Sequence, residues 1–225
     1  IIIDGKAASQ PLQFFNWLTI DEKFDAQSRQ HDRLSSAFTL SRLARGKRAP
    51  PCTPERFKQM LVERQARATQ KGVTLFTRGK DQPFVIDKFQ AAFEELILAE
   101  SFIFAFLGWT DRDVETLVEV FVHCRNLKHI DLFQNKIAHA GAEMLAEVLP
   151  SLVNLVDLKL QGCNISDAGT TSLVKALPCL LNLSFLDLSE NNISDAGAAS
   201  LAKALPSLVN LSSLRLAENL SLIHI

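Results

Sequence analysis

Leu155-Val-Asp-Leu-Lys-Leu-Gln-Gly-Cys-Asn-Ile-Ser-Asp-Ala-Gly169 opens a block of 28 residues that the chain repeats. The blocks Leu127–Asn154, Leu155–Asn182 and Leu183–Asn210 follow one another without a gap. The second and third share 17 of 28 residues, among them the run Asn-Ile-Ser-Asp-Ala-Gly at 164–169 and 192–197. A fixed period of this length predicts a solenoid, in which each unit buries its apolar side only against its neighbours.

The period extends backwards. Shifted by one unit, the frame starts at Ala99, and Phe102 and Phe104 fall where Ile130 and Leu132, Leu158 and Leu160, and Leu186 and Leu188 fall. Val114, Leu117, Val118, Phe121 and Val122 then supply the matching amphipathic helix. This is a degenerate first repeat, as expected at the end of a stack. At the other end, Asn219 keeps the frame and Ser221 breaks it.

Each position has a physical reading. A short strand turns two side chains inward, such as Leu186 and Leu188. Asn191 turns the chain, and its amide is suited to satisfy loop backbone groups; stacked copies predict a ladder, with Cys163 replacing Asn once. Ser194 is placed to cap the returning helix, and Gly197 to let helix and sheet approach. Leu201 and Leu205 face the core, and Pro206 stops the helix.

The motif Leu127-x-x-Ile130-x-Leu132-x-x-Asn135-x-Ile137, with copies from Leu155, Leu183 and Leu211, resembles the leucine-rich repeat. The length, the full helix and the Ala-Gly-x-x-x-Leu run resemble its ribonuclease-inhibitor-like subclass, which also occurs in NOD-like receptors and Ran GTPase-activating proteins. The resemblance covers about residues 99–219. It implies an α/β leucine-rich-repeat solenoid with parallel strands on the concave face and helices on the convex face. It also implies a non-enzymatic module that binds a protein partner. The alternatives are a regulator of an enzyme, such as a small-GTPase activator, or the sensing half of a NOD-like receptor. None of the activator family's functional loop residues can be matched here.

The partner surface is expected on the outward strand residues, which fall in columns 28 apart. One column reads Ile103, Asp131, Lys159, Asp187, Arg215. Its alternating charges read either as a docking strip or as a ladder of surface ion pairs, each worth about 0–1 kcal/mol; the ladder is the favoured reading. Neighbouring columns contribute His129, Asp157 and Phe185, and Phe133, Gln161 and Ser189. Phe133 and Phe185 are expected to stand out from the sheet, either as anchors for a partner or beneath a neighbouring segment that covers them, and the two readings weigh evenly.

The solenoid is preceded by a mostly helical region. Residues 21–45 read as a helix through Phe24, His31, Leu34 and Phe38. A second helix is expected from the cap Thr53 with Pro54 at its first position. Val73–Phe76 reads as a short strand, and a third helix is expected after Pro83, with Ile86, Phe89, Phe93, Leu96 and Ile97 on one face. The organisation is then a basic helical region over 1–83, a capping helix and degenerate repeat over 84–126, full repeats over 127–219, and a tail over 220–225. That tail reads as a translated library adapter rather than native sequence, and the start Ile1-Ile2-Ile3 reads as the edge of a fragment.

Composition narrows the class. Hydrophobic residues make up 47% and the net charge is −1, which fits a folded globular chain. The balance is uneven: residues 22–80 carry 14 Lys/Arg against 5 Asp/Glu, and the remainder carries 10 against 20. The strongest basic feature is Arg42, Arg45, Lys47 and Arg48, for which nucleic acid, an anionic membrane surface or an acidic partner is the secondary reading and a solvated linker the first. Cys52, Cys124, Cys163 and Cys179 show no metal or disulfide spacing, so reduced thiols and a cytoplasmic location are expected. The repeat generates N-x-S sequons at Asn164, Asn182, Asn192 and Asn210 by itself, so they carry little weight. Gly79-Lys80 lacks the rest of a phosphate loop, and adjacent His123 and Cys124 diverge on a helix end. A surface contact between His129 and Asp157 is expected, without acid–base chemistry. No cofactor, metal or membrane-spanning segment is expected.

Overall fold

The computed structural model describes residues 2–3, 6–7, 49–72 and 81–220. The expected helix over 21–45, the strand over Val73–Phe76, the basic residues 42–48 and nearly all of the tail lie outside them. A short hairpin pairs β1 (Ile2–Ile3) with β2 (Lys6–Ala7) antiparallel. Helices α1 (Pro54–Gln70) and α2 (Asp81–Leu96) follow.

The solenoid alternates strand and helix. Its strands are β3 (Ser101–Ile103), β4 (His129–Asp131), β5 (Asp157–Lys159), β6 (Phe185–Asp187) and β7 (Ser213–Arg215). Between them run α3 (Asp111–Phe121), α4 (His139–Val148), α5 (Asp167–Ala176) and α6 (Asp195–Ala204). The strands form one parallel sheet in chain order. The register steps by one repeat, so Phe102 faces Ile130, Ile130 faces Leu158, and Leu186 faces Leu214. The expected degenerate repeat is therefore a true member of the sheet.

Each return path is set by local chemistry. The α-helices end at Val148, Ala176 and Ala204, and a 3-10 turn carrying Pro150, Pro178 or Pro206 takes over. Proline cannot donate into the preceding turn, and its fixed φ suits the first residues of a new one. The core is a stack of Leu, Ile and Phe, from Phe102 and Phe104 through Leu132 and Leu160 to Leu188, each about 1% exposed or less.

The first repeat does not end in water. The ring of Phe57 on α1 stacks on Phe89 of α2 at 3.7 Å, and both are buried in the core that runs on into the repeats. Arg56 pairs with Glu119 on α3. Thr53 caps α1, its hydroxyl accepting from the Arg56 N–H at 3.3 Å. The third expected helix, α2, starts at Asp81 and not after Pro83. Pro83 then sits in the first turn, where N–H groups have no helical acceptor and a missing donor costs little.

Candidate protein-interaction surface

The asparagine ladder fixes the loops that follow the strands. The Asn191 side-chain oxygen accepts from the N–H groups of Cys163 (3.1 Å) and Ile165 (2.8 Å) in the preceding repeat. Its NH2 donates to the carbonyls of Leu160 and Leu188 at 2.9 and 3.0 Å. Asn135 and Asn219 repeat the pattern. Cys163 keeps the donor role, its thiol lying 3.2 Å from the Leu132 carbonyl. Burial pushes that thiol up to about 12, so it stays a neutral donor at ordinary pH.

A second repeating device joins the helices. Asp167 accepts from the N–H groups of Ser194 (2.7 Å) and Gly197 (3.0 Å) and from the Ser194 hydroxyl. Asp111 does the same for Ala138 and Gly141. The Ser194 hydroxyl bond, together with the two backbone donors, outweighs the opposing effect of burial and holds the Asp167 carboxyl below its usual range. Ser194 caps its own helix as expected, accepting from Ala196 N–H at 3.3 Å. The reason for Gly197 differs from the expected one. A Cβ there would lie 2.4 Å from the Asp167 carboxylate, so glycine makes room for the neighbouring repeat's cap.

On the outer side of the sheet the charged column pairs within itself. Lys159 reaches Asp131 at 3.4 Å, and Arg215 reaches Asp187 at 3.8 Å. Asp131 and Asp187 also accept from the N–H groups of Phe133 and Ser189. Asp187 is only 3% exposed and Ser189 is buried as well, which corrects their expected presentation to solvent. His129 Nδ1 stands 2.7 Å from Asp157, as the adjacent strands predict.

The two expected aromatic anchors are half-buried rather than free. Phe133 meets the ring of Phe106 edge-on at 4.7 Å, and Arg215 lies over the Phe185 ring at 5.0 Å. The exposed apolar side chains on this face are Ile103 (47%) and Phe106 (54%) in the degenerate repeat. Phe106 is absent from the sequence reading, although counting back 28 residues from Gln134 reaches it. Gln161 and Gln134 both turn their amides onto Glu190, a cluster that spans three repeats and that spacing alone did not reveal.

The side chains of His123 and Cys124 do not meet as a reactive pair, and Gly79 and Lys80 lie outside the described residues. Cys124 is buried, its thiol faces the Val120 carbonyl, and burial pushes it up to about 12, while His123 packs edge-on to Phe93. All four cysteines are free. Among the described residues no His/Cys/Asp/Glu group could hold a metal, and no helix is long and apolar enough to cross a membrane.

The leucine rich repeat family model matches residues 123–146, 151–174 and 180–202. Comparison with curated proteins returned no match. Among solved structures, the actin-binding site 2 of leiomodin-1 is similar over 60% of this chain and 80% of that one, at 16% identity and a TM-score of 0.50. An internalin C2 from Listeria monocytogenes is matched over 49% of this chain and 66% of that one, at 18% identity and a TM-score of 0.24. At such identities the leiomodin likeness speaks for the fold. The sheet and helices from residue 99 to residue 219 are a leucine-rich-repeat solenoid.

Proposed function

We propose that the chain is a non-enzymatic protein-interaction module of the ribonuclease-inhibitor-like subclass, intracellular and part of a larger protein, which binds its partner with the outer side of the sheet. The supporting observation is the sheet itself. Five strands in strict register present rows of polar and aromatic side chains, and the asparagine ladder holds the loops at their ends rigid. A pre-organised surface loses little conformational entropy on binding, which is where a rigid solenoid gains affinity.

On this reading Phe133, Phe185, His129, Asp157, Lys159, Gln161 and Arg215 line the contact face, with Asp131 and Asp187 holding their cationic neighbours in place. Helices α1 and α2 close the first repeat. The long helix in each unit supports the subclass.

Photo-crosslinking tests this. A crosslinker placed at Lys159 on the sheet should capture the partner from a native extract, and one at Lys175 on α5 should not. Capture from Lys175 alone would move the binding face to the helices. Changing Phe133 and Phe185 together to Ala should also reduce the captured protein.

A further inference from the structure

The inner rows of the sheet satisfy their own charges; the rim does not. The rim consists of positions 105–106 and their copies every 28 residues, just past the strand ends. Backbone bonds stack these loops, with Phe106 N–H on the Phe133 carbonyl, Gln134 N–H on Gln161 and Glu190 N–H on Ala217. At one end stand Phe106 and Phe133 in edge-on contact. At the other stand Glu190 and Glu218, and no Lys or Arg occupies any rim position. Glu190 receives hydrogen bonds from two neutral amides, Gln134 and Gln161, which orient its carboxylate without cancelling its charge. Among the described residues no ion pair reaches either glutamate, Lys136 included.

The outer rim position is left-handed throughout, at Phe106 (φ 59), Gln134 (53), Gly162 (65), Glu190 (53) and Glu218 (57). Such a backbone favours glycine, and only one of the five is glycine. A Cβ at Gly162 would lie 2.4 Å from the Gln134 amide, so its bareness lets Gln134 cross a repeat to reach Glu190.

We propose that this rim docks an extended segment of a partner protein carrying an aromatic or aliphatic residue and, three or four positions away, a lysine or arginine. The apolar residue would seat on Phe106 and Phe133, and the cation on Glu190. The spacing follows from the repeat. Phe133 and Phe106 lie two and three strands from Glu190, or about 10–14 Å at about 4.8 Å per strand, and an extended chain covers that in three to four residues at about 3.3 Å each. The inference rests on the sheet side being the binding face and names the chemistry of what binds there.

The test is selection of a phage-displayed random octapeptide library on the full chain, followed by fluorescence anisotropy with the enriched peptide. Enrichment of Lys or Arg three or four positions from Phe, Leu or Ile is expected. Glu190→Gln keeps the side-chain shape and should weaken binding about tenfold, the loss of one charge-assisted hydrogen bond. Replacing the peptide's Lys or Arg by Gln should remove the difference between the two proteins. Phe106→Gly suits the left-handed backbone, so it should leave the fold intact while weakening binding. No consensus, an acidic consensus, or binding indifferent to both variants overturns the proposal. Binding indifferent to both but lost on changing Lys159 and Arg215 would leave the sheet as the binding face and remove the rim.

Discussion

Asn191 satisfies buried backbone groups of two repeats with one amide. Replacing it with Ala leaves several of them without a partner, and each buried orphan costs about 1–3 kcal/mol. Asn191→Ala should therefore lower the urea midpoint strongly, and Asn191→Cys less, because Cys163 shows that a thiol retains the donor role. Equal midpoints for the two variants would contradict this. The thiols make a second expectation. Burial raises Cys52 to about 11 and Cys124 and Cys163 to about 12, while Cys179 is exposed. A disulfide reagent at mild pH should modify Cys179 quickly and the other three only on unfolding. Above the ordinary thiol value of 9.0 the unfolded thiols ionise and the buried ones do not. Their contribution is thus intact below 9.0 and is lost as pH rises toward 12. Cys163→Asn should flatten that loss in denaturant melts taken between pH 8 and 10.5.

Between elements, the aspartate caps explain both a glycine and a gap. Asp111 and Asp167 open α3 and α5 and hold the starts of α4 and α6, but His139 occupies the equivalent place at the start of α4. The start of α5 therefore receives no such carboxylate. His139→Asp should supply it and put an acid in the first turn of α4, stabilising the protein by about 1 kcal/mol in a chemical melt. Destabilisation would show that the cap geometry is not transferable. Gly197→Ala should cost clearly more than Gly169→Ala, since the added Cβ lies 2.4 Å from a carboxylate at 197 and 3.0 Å from a methyl at 169. The Asp167 carboxyl is held low, so its cap is intact above the ordinary aspartate range and fails as pH falls through the folded value. The strands, helices and ladder asparagines were legible because the 28-residue frame repeats their residue types. The caps were not, because Asp167 acts on Ser194 and Gly197 of the next repeat while its own position reads as an ordinary first-turn acid. The rim was hidden for a similar reason. Phe106, Gln134 and Glu190 share a backbone conformation but no side-chain chemistry, so no motif marks them.

For the molecule as a whole, stability is carried by neighbour-to-neighbour interfaces, so the two ends of the stack should differ. At the N-terminal end α1 and α2 cover the first repeat, and Phe102 and Phe104 are each 1% exposed. At the other end Leu214 and Leu216 are only partly buried, against 1% exposure for their counterparts Leu186 and Leu188. Among the described residues β7 pairs on one side only, with β6. A mutation that truncates a core leucine loses transfer energy and leaves a cavity, and both terms shrink when the site is already partly open. Leu186→Ala should therefore cost about 2–5 kcal/mol, and Leu214→Ala distinctly less. Hydrogen exchange resolves the same asymmetry without mutation. Amides of β4 to β6 should exchange only on global unfolding, those of β7 and its loop by local opening at lower free energy. Protection that rises toward β7, or equal protection in all five strands, would mean that the stack is held from its C-terminal end or unfolds as one unit.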